Sequence, residues 1–390
     1  MGDMQSALLR LISAVPVENR GIRNAAALER ALGIDRKLAW RVFKIANDDD
    51  SVAAGLLMPR KISIAKVSKA AKLKKVGAEI ISNMEGAYSR YEQLVRDTAG
   101  NREVFDSMLS GLVSEAADPL DLVHKRASVR ADTHLLGVHC EAILKTFIVR
   151  PSVDGQNLDT AVLGGLVRLK RLRAGVPLVI SSRRFEGYDG EDIRPKYQPV
   201  DPESARKYGI PLLEAFCSSP VPRFEQRITR DGFKEVTVAG GGLGEAHSST
   251  CFMADYARAI MSRHQTELDK QLRLITNVRT PADRLIFDVM MARGCLASAP
   301  PVIGVCSDHA GVRFPDEPQI TLATRETIRR IPSGLKGIST PEIPQYPDII
   351  AHVLGRLDWD PDEFDVYRCV VDYPVLPSSV MMAFELLPND

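Results

Sequence analysis

Asn24–Asn47 reads NAAALERALGIDRKLAWRVFKIAN, and its local chemistry predicts two short helices joined by a tight turn at Gly33-Ile34. Asn24 is a good N-cap, because its side-chain oxygen can accept from a free N–H of the first turn. Ala25 to Leu32 are strong helix formers. Gly33 stands where a helix stops, at the position that favours left-handed backbone. Asp35 suits the positive end of a following helix, expected over Arg36 to Ala46. At about 100° per residue, that second helix separates two faces. Leu38, Ala39, Val42, Phe43, Ile45 and Ala46 fill a broad apolar arc. Lys37, Arg41 and Lys44 gather on the opposite side, with Arg36 and Trp40 on the border.

A capped helix, a glycine turn and a second helix with one apolar face and a basic stripe resemble the helix-turn-helix of bacterial DNA-binding regulators. The resemblance covers about 24 residues of the 390. It implies that the second helix lies in the major groove of double-stranded DNA. Arg36, Lys37 and Arg41 would then face base edges or phosphates, and Lys44 the backbone. Leu28, Leu32, Ile34 and Val42 match the family's packing positions. Glu29 departs from the pattern, which usually has a small residue there, and Ala39 is smaller than the usual branched residue. The same stretch also reads as an ordinary helical hairpin whose basic residues are simply solvated.

The chain carries 45% hydrophobic and 26% charged residues, a globular composition, and a net charge of +1. Its charge is unevenly spread. Arg20 to Lys75 holds fourteen Lys and Arg against five Asp and Glu, a local +9 that leaves −8 on the remainder. A DNA-binding head on an acidic body has this asymmetry, as does a head that docks on an acidic partner. No apolar run reaches membrane-spanning length, and MGDMQSALLRLISAV lacks the cationic start of a signal peptide. Six widely spaced cysteines with no CxxC fit a reduced, cytoplasmic protein.

Residues 1 to 114 read as a helical domain. Residues 4–15 form an amphipathic helix before Pro16. The acidic triplet Asp48-Asp49-Asp50 is unfavourable near phosphates unless it leads away into a next helix, with Ser51 as cap. RKISIAKVSKAAKLKK (residues 60–75) has seven basic residues and no acidic one, with Ser63 as the expected cap and Gly77 as the stop. Ile64, Val67, Ala71 and Leu73 would pack, leaving Lys61, Lys66, Lys69 and Lys72 on the solvent side as a phosphate-tracking surface or a plain charged face. Ile80 to Ala99 is a long amphipathic helix, ended by Gly100, that reads as core or as a dimer seam.

EAADPLD (residues 115–121) reads as a linker, and 122–390 as an α+β domain with a mainly antiparallel sheet. Strands are expected in Val138–Val149, VPLVIS, the RFEQRIT-RDG-FKEVTVA hairpin, LRLIT, RLIFDVMMA, PVIGVC, FDVYRCVVDY and SVMMAFEL. Helices are expected from Asp159 to Leu172 and from Pro347 to Leu357, and residues 185–202 read as a surface loop.

Candidate chemistry is sparse. The glycine run after Val238 lacks both the G-x-G-x-x-G spacing and a P-loop lysine. Cys306-x-x-His309, His134/His139/Cys140 and His247/Cys251 have ligand-type residues without zinc-site spacing, so neither metal nor cofactor is expected. The acidic residues around Pro361 read as a solvated turn. Taken together, the sequence predicts a DNA-binding transcriptional regulator. Its α+β domain would sense a small-molecule effector, form a homo-oligomer, or both. A structural or assembly protein is the alternative, and an enzyme with its site in the second domain ranks third.

Overall fold

The computed structural model describes residues 2–17, 21–48, 50–112, 119–184, 197–229, 233–267, 269–307, 321–322, 324–331 and 335–389. They divide into two compact units, Met1–Asp118 and Pro119–Asp390.

The first unit is helical: α1 (Gly2–Ala14), α2 (Ala25–Leu32), α3 (Arg36–Ala46), α4 (Ser51–Leu56), α5 (Lys61–Leu73), α6 (Ala78–Ala99) and α7 (Arg102–Leu112). One core holds it together. Leu8 and Leu11 of α1, Val42 and Ile45 of α3, Val67 of α5 and Met84 of α6 are all buried in that core. A single side chain ties the later helices. Arg102 donates to the carbonyls of Met58 (3.2 Å) and Gly55 (3.4 Å), bonds Asp106 (2.6 Å), and lies over the Tyr91 ring. It thereby adds a side-chain donor to the Gly55 carbonyl of α4 and to the Met58 carbonyl just beyond that helix.

Three local expectations are corrected here. The cap of α4 is Asp50, which accepts from Val52 and Ala53, and not Ser51. The helix α5 starts at Lys61, two residues before Ser63, with no side-chain cap, and it stops at Lys74-Lys75 before reaching Gly77. Leu73 is exposed, because the helix turns it away from α2 and α6, against which α5 packs.

The second unit begins with α8 (Pro119–Leu136), so Pro119–Asp121 are helical and not linker; Glu115 to Asp118 lie outside the described residues. The strands follow: β1 (Val138–Pro151), β2 (Asn157–Arg171), β3 (Leu178–Arg184), β4 (Gln198–Pro199), β5 (Phe224–Ile228), β6 (Phe233–Val238), β7 (Ser249–Ser262), β8 (Gln271–Val278), β9 (Ala282–Ala292), β10 (Val302–Ser307), β11 (Arg329–Ile331), β12 (Phe364–Asp372) and β13 (Ser378–Glu385). Two helices are interspersed, α9 (Pro202–Tyr208) and α10 (Tyr346–Leu357). The expected loop 185–202 therefore ends in β4 and the start of α9, and its residues 185–196 lie outside the described residues.

The main sheet has the order β11-β12-β9-β1-β2-β7-β4, with two three-stranded sheets, β10-β13-β8 and β3-β6-β5. The β1–β9 pair is parallel; the other pairings among these strands are antiparallel. The second unit is thus α+β and mainly antiparallel.

The largest correction is β2. A helix was expected from Asp159 to Leu172, yet the segment is a strand paired on both edges, with β1 and β7. A continuous apolar run has no period that separates helix from doubly buried strand. Gly164-Gly165 lowers helix preference further. Gly165 is required where it stands, since a Cβ there would come within 2.3 Å of the Phe252 ring. Asp159, read as a helix cap, instead accepts from the Ala259 N–H (3.0 Å), where the β2–β7 register shifts.

Register assigns the two faces of the main sheet. Thr146 opposes Asp288, and Asp288 opposes Arg368, so these three project from one face. There Tyr346 of α10 donates to Asp288 (2.8 Å) and its hydroxyl meets Thr146 (2.8 Å). Arg368 bonds both oxygens of Asp288 (2.8 and 2.7 Å) and the Ile338 carbonyl. Burial pushes the Asp288 carboxyl up, against the pull of Arg368 and Tyr346. Tyr367, one residue from Arg368, projects from the opposite face, where its ring packs edge-on against Phe384 of β13.

Breaking this cluster has a defined expected cost. Arg368→Ala leaves a buried carboxylate without its partner and should destabilise the second unit by about 3–5 kcal/mol. Urea unfolding followed by the fluorescence of buried Trp359 measures it. A loss under about 1 kcal/mol would show that the pair is peripheral to stability.

Candidate functional site

The geometry of α2 and α3 follows from their caps. Asn24 accepts from the Ala27 N–H (2.8 Å), and Asp35 from the Leu38 N–H (2.9 Å). Gly33 between them is left-handed, with φ 70° and ψ 34°. Leu28 and Leu32 of α2 and Leu38, Ala39, Val42, Ile45 and Ala46 of α3 are buried, while Ile34 and Phe43 pack half-buried on the same core. Glu29 is half-buried.

The opposite side of α3 is cationic. Arg36, Lys37 and Lys44 are exposed and Arg41 is half-exposed. Trp40 is 49% exposed on the same side, one helical turn from Arg36, Lys37 and Lys44. On α5, Lys61, Lys66, Lys69 and Lys72 are all exposed. The structure divides these eight cations in a way the sequence did not reveal. Lys44 pairs with Asp48 (3.2 Å), Lys61 with Glu92 (3.2 Å) and Lys72 with Glu85 (3.9 Å). Arg36, Lys37, Arg41, Lys66 and Lys69 have no ion-pair partner among the described residues. Asp48 is thus turned onto Lys44, and Asp50 is spent capping α4. Asp49 lies outside the described residues.

Cys306 is buried in β10, and Asp308 and His309 lie outside the described residues. His139 contacts Asp283 (3.3 Å), His134 contacts Arg173 (3.2 Å), and Cys140 is fully buried with its thiol pushed up by burial. Among the described residues, no group of three His, Cys, Asp or Glu side chains is arranged to hold a metal ion. The glycine run after β6 does the reverse of cradling phosphate. Its Gly240 and Gly241 carbonyls, with those of Val238 and Val176, accept from the buried Arg171 guanidinium. Asp360, beside Pro361, caps a short turn by accepting from Asp362, and Asp358 ends α10 in left-handed backbone.

One feature went unread in the sequence, because its members are 34 positions apart. Cys217 and Cys251 share a hydrogen bond, and the Phe252 N–H also donates to the Cys217 sulfur (3.4 Å). The Cys251 bond, then that of Phe252, holds the Cys217 thiol below its ordinary value, while Cys251 is pushed up by the same bond and by burial. Cys217 is half-exposed; the other five cysteines are buried.

No protein-family model matches the chain, and no curated protein matches its sequence. Among the described residues, no helix is long and apolar enough to cross a membrane.

The thiol contrast is measurable. Burial raises Cys295 to about 11 and Cys369 to about 12. Iodoacetamide at neutral pH should therefore label Cys217 at least about ten-fold faster than Cys140, Cys295 or Cys369, by peptide mass mapping. Equal rates in the folded protein would contradict the hydrogen-bonded geometry.

Proposed function

We propose that this protein is a DNA-binding transcriptional regulator, in which α2 and α3 act as a helix-turn-helix and the second unit senses a ligand or oligomerises. The reading rests on one observation above all: Arg36, Lys37 and Arg41 stand on the solvent side of α3 with no acidic partner among the described residues. At eleven residues, α3 is about 16 Å long, and a helix fits the major groove, about 12 Å wide. Arg36 and Arg41 supply the planar fork that suits guanine edges, and Lys37 supplies a point charge for a base or phosphate. Trp40 adds an apolar surface of the kind that contacts thymine methyl groups.

The α5 lysines serve as phosphate anchors in this reading. Lys66 and Lys69 are ready for that role, whereas Lys61 and Lys72, like Lys44, exchange a carboxylate for a phosphate. That exchange is inexpensive, because exposed ion pairs contribute only about 0–1 kcal/mol. The role of the second unit rests on how such regulators are built, which is analogy at the level of architecture.

The test is binding of the full-length protein to random-sequence duplex DNA over a salt series. Selection of a sequence with a steep salt slope supports the regulator. Salt-dependent binding without selection favours the assembly role, and no binding at low salt removes the helix-turn-helix reading. Lys37→Ala with Arg41→Ala should abolish site preference with little loss of folding, since neither side chain has an ion-pair partner among the described residues. Lys66→Ala and Lys69→Ala should each weaken binding equally across sequences and reduce the salt slope by about 1.

A further inference from the structure

Cys217 and Cys251 lie where two segments of the second unit are already fixed against each other. Leu212 bridges Met253 in the antiparallel sense, and the Leu213 N–H donates to the Phe252 carbonyl (2.9 Å). A short 3₁₀ turn over Glu214–Phe216 follows. The chain then returns to β7. The Ser218 N–H donates to the Thr250 carbonyl (2.9 Å), and the Thr250 N–H donates to the Ser218 hydroxyl (2.7 Å). Backbone contacts on both sides thus hold Cys217 opposite Cys251. Opposed positions on antiparallel strands are about 4.5–5.5 Å apart at Cα, inside the roughly 4.4–6.8 Å that a disulfide spans.

The two thiols have different surroundings. Cys251 is 1% exposed and belongs to a small core with Ile210, Leu212 and Val236. Cys217 packs at the edge of that core and is half-exposed. Its sulfur accepts from the Phe252 N–H (3.4 Å) and shares a hydrogen bond with Cys251, while its own S–H donates to the Leu213 carbonyl (3.2 Å). Two donors therefore stand ready for a thiolate at Cys217. Glu214, whose charge would oppose that thiolate, is engaged by Lys207 and Tyr208 at 2.6 Å each. An accessible sulfur with thiolate character, poised beside a second cysteine, is the arrangement that oxidants select.

We propose that Cys217 and Cys251 form a peroxide-reactive dithiol, in which Cys217 is the attacking sulfur and Cys251 the resolving one. The Cys217 thiolate attacks one oxygen of hydrogen peroxide and the O–O bond breaks. The departing hydroxide takes the proton that Cys217 released and forms water. Cys217 is then a sulfenic acid, oxidised by two electrons. The Cys251 sulfur next attacks the Cys217 sulfur. An S–S bond forms, the S–O bond breaks, and the departing hydroxide takes the Cys251 proton as a second water. One peroxide is reduced to two waters, and two thiols become one disulfide. The bridge closes the loop that carries β5 and β6, and a thiol reductant reopens it by exchange.

The test treats reduced full-length protein with hydrogen peroxide in small molar excess at neutral pH, then blocks free thiols and maps peptides without reductant. The expected product is a linked Cys217–Cys251 peptide pair, two hydrogens lighter than its parts. It should form at least about ten-fold faster than any oxidation of Cys140, Cys295 or Cys369, and dithiothreitol should remove it. Cys251→Ala should stop at the sulfenic acid, which dimedone traps on Cys217. Cys217→Ser should leave Cys251 unoxidised over the same exposure. Both variants are checked for folding by the fluorescence of buried Trp359, and the map of the parent protein decides the matter where a variant does not fold. Absence of the linked pair in the parent would overturn the proposal, as would oxidation of the fully buried cysteines at the rate of Cys217. Oxidation of Cys251 at the parental rate in folded Cys217→Ser protein would do the same. Duplex DNA has no part in this readout, so the dithiol and the regulator can each fail alone.

Discussion

A buried carboxylate imposes order on the second unit. Asp288 is fully buried, and such a group persists only when all its oxygens are met by donors. Those donors come from distant parts of the chain: Arg368 from β12 and Tyr346 from α10, with Thr146 of β1 completing the chain. Each must therefore be in register with β9. A slip of one residue would carry Asp288 to the opposite face, where Tyr367 packs on Phe384, away from Arg368 and Tyr346. One polar cluster thus sets which side of the sheet faces α10 and which faces β13.

The helical unit is organised by a different rule. Its elements start and stop on local signals: Asn24, Gly33, Asp35 and Asp50 each act within a few residues of themselves. What unites them is apolar burial, with Arg102 at the start of α7 joining the end of α4 to Tyr91 of α6. A scaffold of this kind leaves its solvent faces unconstrained by packing. Arg36, Lys37 and Arg41 of α3 are therefore exposed to solvent in a way that Arg171, buried among backbone carbonyls, is not.

Much of the candidate interface was legible in advance, because a helix wheel depends on sequence spacing alone. The exposed positions of Arg36, Lys37 and Lys44 agree with that spacing. Less legible was which cations are already engaged: Glu92 and Glu85, the partners of Lys61 and Lys72, sit on another helix. The strands with clear alternation or hairpin signals, such as β1 and the β5–β6 pair, were also readable. The helix α8 escaped because most of its side chains, Leu122 and Val123 included, stay at the surface, so it shows no apolar stripe to read. β7 escaped as well, and β2 was misread.

By itself, then, the sequence determined the helical character of the first unit, the capped pair α2–α3, its basic face, and the antiparallel α+β character of the remainder. These depend on interactions within a few residues. Only the tertiary structure decided that LDTAVLGGLVRLKR is a strand and that Cys217 meets Cys251. The physical reason is the same in each case. A strand buried on both faces and a thiol pair are both defined by neighbours that arrive from far along the chain, and local spacing carries no trace of them.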